Sequence, residues 1–143
     1  MRPIERDTEI LIDTQLMNLG WVSDPHSAQR NVYVHRVKNQ RQKRALNGLV
    51  PDYTLYPSRS DDPLAVIEAK RPGESIHKAL GQGLDYAQRI GAPIVFATDG
   101  IFTKTIHAVE HKPLRLNGEE VDELLREALA VRYASTHDVS TLD

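Results

Sequence analysis

The sequence predicts an α/β protein with a central mixed β-sheet flanked by helices. Three observations carry this. Apolar residues recur at the helix period near the N-terminus and again after residue 74, and the segments between alternate at the strand period. The run Pro93-Ile94-Val95-Phe96-Ala97-Thr98 is continuously apolar and of strand length, as expected for a strand buried on both faces. The helix preceding that run supplies the crossover onto a parallel neighbour.

Glu5 to Leu19 predicts a helix, with Ile12, Leu16 and Leu19 at i, i+4 and i+7 and Gly20 at the C-terminal stop. Glu5, Glu9 and Asp13, spaced by four, form an acidic ridge on another side of it. Asn31 to Val37 alternates as a strand does. Lys38 to Asn47 is polar and without periodicity, so a loop or a disordered arm is expected. With Arg36 it holds a basic run (Arg36, Lys38, Arg41, Lys43 and Arg44) that reads as a solvated, mobile segment.

Leu49 to Tyr56 and Leu64 to Lys70 predict a hairpin closed by Pro57 to Pro63. In its second strand Val66, Glu68 and Lys70 share one face, while Ala65, Ile67 and Ala69 take the other. Arg71-Pro72-Gly73 ends it. Glu74 to Ile90 predicts a second helix, with Ser75 as a possible N-cap and Gly91 as its stop. Ile76, Leu80, Leu84 and Ala87 form an apolar stripe on this helix, and Lys78, Gln82, Tyr86 and Arg89 a polar one. Gly81 and Gly83, which flank Gln82, are either tolerated or needed for a close approach. Ile101 to Val109 returns as a strand after Asp99-Gly100, and Glu119 to Ala134 predicts a third helix from Val121, Leu124, Leu125, Ala128 and Leu129. The expectation is one domain over residues 1–143, with a core at about 5–109, a C-terminal helix at about 119–134 and a frayed tail at 135–143.

Composition narrows the function classes. The chain has no cysteine, which excludes disulfides and thiolate metal sites, and its six histidines show no ligand spacing such as HxxxH. No apolar run is long enough for a membrane span and no signal-peptide pattern is present, so a cytoplasmic location with no membrane partner is expected. A net charge of −2 argues against coating nucleic acid through a global basic field, but not against an acidic metal site with a basic rim. There is no Walker A sequence, so the chain cannot itself be an ATP-driven motor.

The chemistry-bearing pattern is Pro51-Asp52, a gap of fifteen residues, then Glu68-Ala69-Lys70. Two carboxylates beside a lysine suggest a hard-metal site with a cation next to it. Taken singly, Asp52 could be a strand-end residue, Glu68 and Lys70 an exposed ion-pair face, and Tyr86 an aromatic at the rim of the core.

Together these residues resemble the PD-(D/E)xK signature of restriction-endonuclease-like nucleases. Gln82-Gly83-Leu84-Asp85-Tyr86 resembles the QxxxY motif found in a subset of them. Residues 5 to 102, through Leu19-Gly20-Trp21, Pro51 to Leu55, Leu64 to Lys70 and Ala79 to Gly100, resemble more specifically the N-terminal nuclease domain of type I restriction enzyme R (motor) subunits. The resemblance implies a restriction-endonuclease-like core and a Mg²⁺-dependent endodeoxyribonuclease, with Mn²⁺ able to substitute. It implies metal ligation by Asp52, Glu68 and the carbonyl of Ala69. Glu9 on the first helix is the further candidate, with Glu5 the alternative. Lys70 would stabilise transition-state charge, and Gln82 and Tyr86 would position the site or the DNA backbone. Specificity in that family lies in another subunit, and no helix here resembles a base-reading element. The implied partners are DNA, motor domains in cis or in trans, and the modification and specificity subunits. The chain is then either an excised domain or a short stand-alone relative. A non-catalytic DNA-binding or assembly module of the same fold, or a related structure-specific nuclease, stays open as an alternative.

Overall fold

A computed structural model describes residues 3–24 and 26–140. The chain begins with α1 (Arg6–Asn18), followed by β1 (Val32–Val34), α2 (Gln40–Leu46), β2 (Tyr53–Tyr56) and β3 (Ala65–Ala69). Next come α3 (Ile76–Ile90), β4 (Ile94–Thr98) and β5 (Thr103–His107). A C-terminal set closes the chain: β6 (Arg115–Leu116), β7 (Glu119–Glu120), α4 (Glu127–Tyr133) and β8 (Asp138–Val139).

Strands β1 to β5 form one sheet in chain order. The β1–β2, β2–β3 and β4–β5 pairs are antiparallel, whereas β3 and β4 are parallel and joined by the α3 crossover. The mixed sheet expected from the sequence is thus present, and every residue of β3 and β4 is buried.

Strand alternation sends side chains to two faces of the sheet. Tyr53, Leu55, Ala65, Ile67, Ile94 and Phe96 face α1, meeting Ile12 and Leu16. Leu114, Leu124, Leu125, Tyr133 and Val139 from the C-terminal set join that same cluster. Trp21 is clamped there by its indole N–H, which donates to the Leu125 carbonyl at 2.9 Å. On the opposite face Val66 and Val95 pack against Tyr86, Ala87 and Ile90 of α3 and Leu46 of α2.

Helix α3 begins and ends where its caps dictate. The Ser75 hydroxyl accepts the Lys78 N–H at 3.1 Å, and Gly91 adopts the left-handed conformation. Its buried stripe differs from the expected one, running through Ala79, Gly83, Tyr86, Ala87 and Ile90. Small residues at 79 and 83 let the helix settle close to the sheet, and the long Leu80 and Leu84 are displaced to the margin. Tyr86 therefore leaves the polar stripe for the core.

Three expectations at other elements are corrected. The basic segment is not a loop or a disordered arm but contains α2. Asn39 caps it by accepting the Gln42 N–H at 2.9 Å, and its core-facing anchors are Leu46 and the buried Gln42. The Gln42 amide donates to the Asp61 carbonyl at 2.7 Å and its oxygen accepts the Tyr56 hydroxyl at 2.5 Å. The third helix does not start at Glu119. Asn117 and Gly118, with φ of 52° and 85°, make a two-residue turn that folds Glu119–Glu120 back onto Arg115–Leu116. Val121 follows outside any helix, its N–H donating to the Leu114 carbonyl at 2.8 Å. The tail is not frayed through its described part, because β8 pairs in parallel with β6 and buries Val139; residues 141–143 lie outside the described set.

Candidate active site at the β2–β3 strand ends

The antiparallel register of β2 and β3 pairs Tyr53 with Ile67, so Asp52 comes level with Glu68 at the same end of the hairpin. The two side chains are tied into each other's backbone. The Asp52 N–H donates to Glu68 Oε2 at 2.7 Å, and the Ala69 N–H donates to Asp52 Oδ2 at 2.8 Å. Asp52 and Glu68 are 7% and 3% exposed, which overturns the reading of Glu68 as part of a solvated ion-pair face.

Burial, followed by the neighbouring Asp52 charge, pushes the Glu68 carboxyl up to about 8. Two carboxylates so placed call for a cation. Among the described residues, the cation paired with Asp52 is Arg71, not Lys70. Its Nη1 donates to Asp52 Oδ2 at 2.5 Å and its Nη2 to Oδ1 at 2.8 Å, a two-point pair. Nη1 also donates to the Ala69 carbonyl at 2.7 Å.

Lys70 extends the parallel ladder through its N–H to the Thr98 carbonyl at 2.8 Å. Its half-buried ammonium is 3.5 Å from the carbonyl oxygen of Arg71. Tyr86 lies under the same sheet face, 5% exposed, and burial with the Glu68 and Asp52 charges raises its phenol pKa. Gln82, one turn earlier, is exposed.

Gly83 sits between them for a steric reason. A Cβ there would stand 2.5 Å from Val95 Cγ1 and 3.3 Å from Glu68 Cγ, so only glycine lets α3 pass directly over Glu68. Gly81 has open space. The choice left open by the sequence is thereby settled: Gly83 serves close approach and Gly81 is tolerated.

An open cleft of about 290 Å³ lies beside the pair, with Asp52, Arg71, Glu9 and His35 in its wall. The His35 Nδ1 is 2.8 Å from the Asp52 carbonyl oxygen. Glu9 thus faces the same cleft as Asp52, while Glu5 precedes α1 as its N-terminal flanking residue without a capping bond. Glu9, Asp52 and Glu68 do not converge: among the described residues no three acidic or imidazole groups are close enough to share a metal ion.

Arg71 and His35 are the site residues that the sequence pattern did not single out. For the first, the signal is the burial of both carboxylates, which the sequence pattern does not carry. His35 offered none.

No protein-family model matches the chain. Over 93 residues it is 53% identical to the type I restriction enzyme EcoAI endonuclease subunit of Escherichia coli. Over that segment the chain is similar to part of a type I restriction endonuclease subunit. That match takes in 59% of this chain but 11% of the relative's length. A solved fragment described as an HsdR subunit of a type I restriction enzyme, from Vibrio vulnificus YJ016, has the same fold. It superposes with a TM-score of 0.60 at 22% identity, covering 96% of this chain and 26% of that one. The restriction-subunit resemblance and the mixed-sheet fold are both borne out.

Proposed function

We propose that this chain is the nuclease domain of a type I restriction R subunit, a Mg²⁺-dependent endonuclease that hydrolyses phosphodiester bonds without reading sequence itself. One observation carries the reading: Asp52 and Glu68 are brought together, buried and hydrogen-bonded through each other's strands, with Asp52 in the wall of an open cleft.

The donor set fits a hard divalent ion. Asp52 and Glu68 offer carboxylate oxygens, Ala69 offers its carbonyl, and a guanidinium already bridges two of these three groups as a cation would. Asp52, Glu68 and the Ala69 carbonyl would hold Mg²⁺ or Mn²⁺, which would supply Lewis-acid polarisation of the scissile phosphate and activation of water. Lys70, half-buried at the end of β3, would place positive charge beside the phosphate as its negative charge grows. Tyr86 would support the Glu68 side of the sheet from within the core, and exposed Gln82 would face the DNA backbone. Glu9 would act across the cleft from Asp52.

DNA is the substrate, the motor is supplied in cis or in trans, modification and specificity subunits complete the assembly, and the location is cytoplasmic. No helix among the described residues is long and apolar enough to cross a membrane.

Plasmid nicking tests the reading. The wild-type chain with Mg²⁺ or Mn²⁺ nicks supercoiled DNA, and Asp52→Ala and Lys70→Ala abolish the activity. Wild-type rates in both variants would remove these residues from the mechanism.

A second reading draws on the Asp52–Arg71 pair, which neutralises Asp52 without any metal. The domain would then be a DNA-binding or assembly module that keeps the fold. It predicts salt-sensitive DNA affinity indifferent to divalent ions and to Glu68→Ala. A related structure-specific nuclease would instead cut branched DNA in preference to plasmid.

A further inference from the structure

We infer that the Arg71 guanidinium is a resident cation on the metal-binding oxygens, so that a divalent ion binds by displacing it. The inference rests on the metal-site reading above and adds the group that competes for the site.

The geometry is specific. Nη1 is 2.5 Å from Asp52 Oδ2 and 2.7 Å from the Ala69 carbonyl oxygen, and Nη2 is 2.8 Å from Asp52 Oδ1. These are the aspartate and backbone donors that an ion would need. The remaining approach to Oδ2 is shared with the Ala69 N–H at 2.8 Å. Mg²⁺ demands near-octahedral oxygens at about 2.0–2.1 Å, and with Nη1 already on both Asp52 Oδ2 and the Ala69 carbonyl, an ion on these two donors would be pressed against a like charge. An arginine does not lose its proton at any working pH, so it leaves by competition and not by deprotonation.

The surroundings allow it to leave. Arg71 is followed by exposed Pro72 and by Gly73 at φ +80°, a turn outside the sheet, and the cleft beside Asp52 has room for the side chain to withdraw. In the metal-free protein the guanidinium would hold Asp52 in place against Glu68. Arg71 is therefore a positioning residue that keeps the ligand set assembled and sets how much divalent ion is needed to fill it.

Calorimetric titration of MnCl₂ into the metal-stripped 143-residue chain tests this, with wild type, Arg71→Lys and Arg71→Ala compared and folding checked by circular dichroism. Arg71→Ala should bind Mn²⁺ at least about tenfold more tightly than wild type. Arg71→Lys should fall between, because a compact ammonium cannot span both carboxylate oxygens. Equal or weaker binding by a folded Arg71→Ala overturns the inference and leaves the metal site standing. If Arg71→Ala does not fold without metal, Arg71→Lys decides: tighter binding than wild type supports displacement, and unchanged or weaker binding overturns it. No binding by any of the three proteins overturns the metal-site reading and the inference with it.

Discussion

The carboxylate of Asp52 and the guanidinium of Arg71 form a two-point ion pair at 2.5 and 2.8 Å, with both side chains under a tenth exposed. Breaking a buried pair from one side is costly, because the other charge stays behind without its carboxylate. Asp52→Ala should therefore destabilise the fold by about 3–5 kcal/mol, as urea unfolding would read. Asp52→Ala combined with Arg71→Met should recover part of that loss. Equal stability of wild type and Asp52→Ala would show that the pair contributes nothing.

The two glycines of α3 should respond to alanine in opposite directions. At Gly83 the new methyl collides with Val95 and crowds Glu68, so helix and sheet must separate. Overpacking of this kind costs about 1–3 kcal/mol, more than the roughly 1 kcal/mol of helix propensity gained. Gly81→Ala meets nothing within 4 Å and should stabilise by up to about 1 kcal/mol. Urea midpoints of the two variants measure both.

Glu68 gives stability a pH dependence of unusual sign. Its carboxyl is raised in the folded state, from about 4.5 to about 8, chiefly by burial and then by the Asp52 charge. Between those values the folded state holds more protons than the unfolded one, so stability falls as pH rises. The contribution is complete below the ordinary carboxyl range and lost by the time pH passes the folded value. Thermal unfolding of metal-free protein from pH 5 to 8 should show this decline, and Glu68→Gln should flatten it. An unchanged profile in the variant would assign the dependence to other groups.

Gln42 should be the residue on which α2 depends. Gln42→Ala leaves the buried Tyr56 hydroxyl without its acceptor and releases the Asp61 carbonyl. A loss of about 1–3 kcal/mol is expected, with amide exchange accelerating across residues 40–46 before the sheet. Uniform acceleration of the whole chain would contradict a local role.

The parts of the fold that could be read from the sequence are those where hydrophobic period and punctuation agree. Ile12 and Leu16 in α1, the unbroken β4, and Ser75 with Gly91 around α3 each had both. Helix α2 was hidden because one of its two anchors is an amide, so no apolar period exists to find. Residues 121–129 show the opposite case. Val121, Leu124, Leu125, Ala128 and Leu129 have a faultless helical spacing, yet helix begins only at Glu127. The Asn117-Gly118 turn commits Glu119 and Glu120 to strand pairing, and Val121 and Leu124 reach the core from irregular backbone ahead of the helix. That dipeptide is itself a hairpin signal. At the site, alternation put Glu68 on the α3 face and register put Asp52 beside it. The arginine was beyond reach, since a two-point pair depends on how the chain turns after Lys70 and no motif records that.

If Asp52 and Glu68 hold a divalent ion, manganese anomalous diffraction from crystals soaked in saturating MnCl₂ will locate it. An anomalous peak is expected between the carboxylates of Asp52 and Glu68 and the Ala69 carbonyl, with the Arg71 guanidinium withdrawn from Asp52. Crystals that show no peak there, with Arg71 still paired to Asp52, would contradict it.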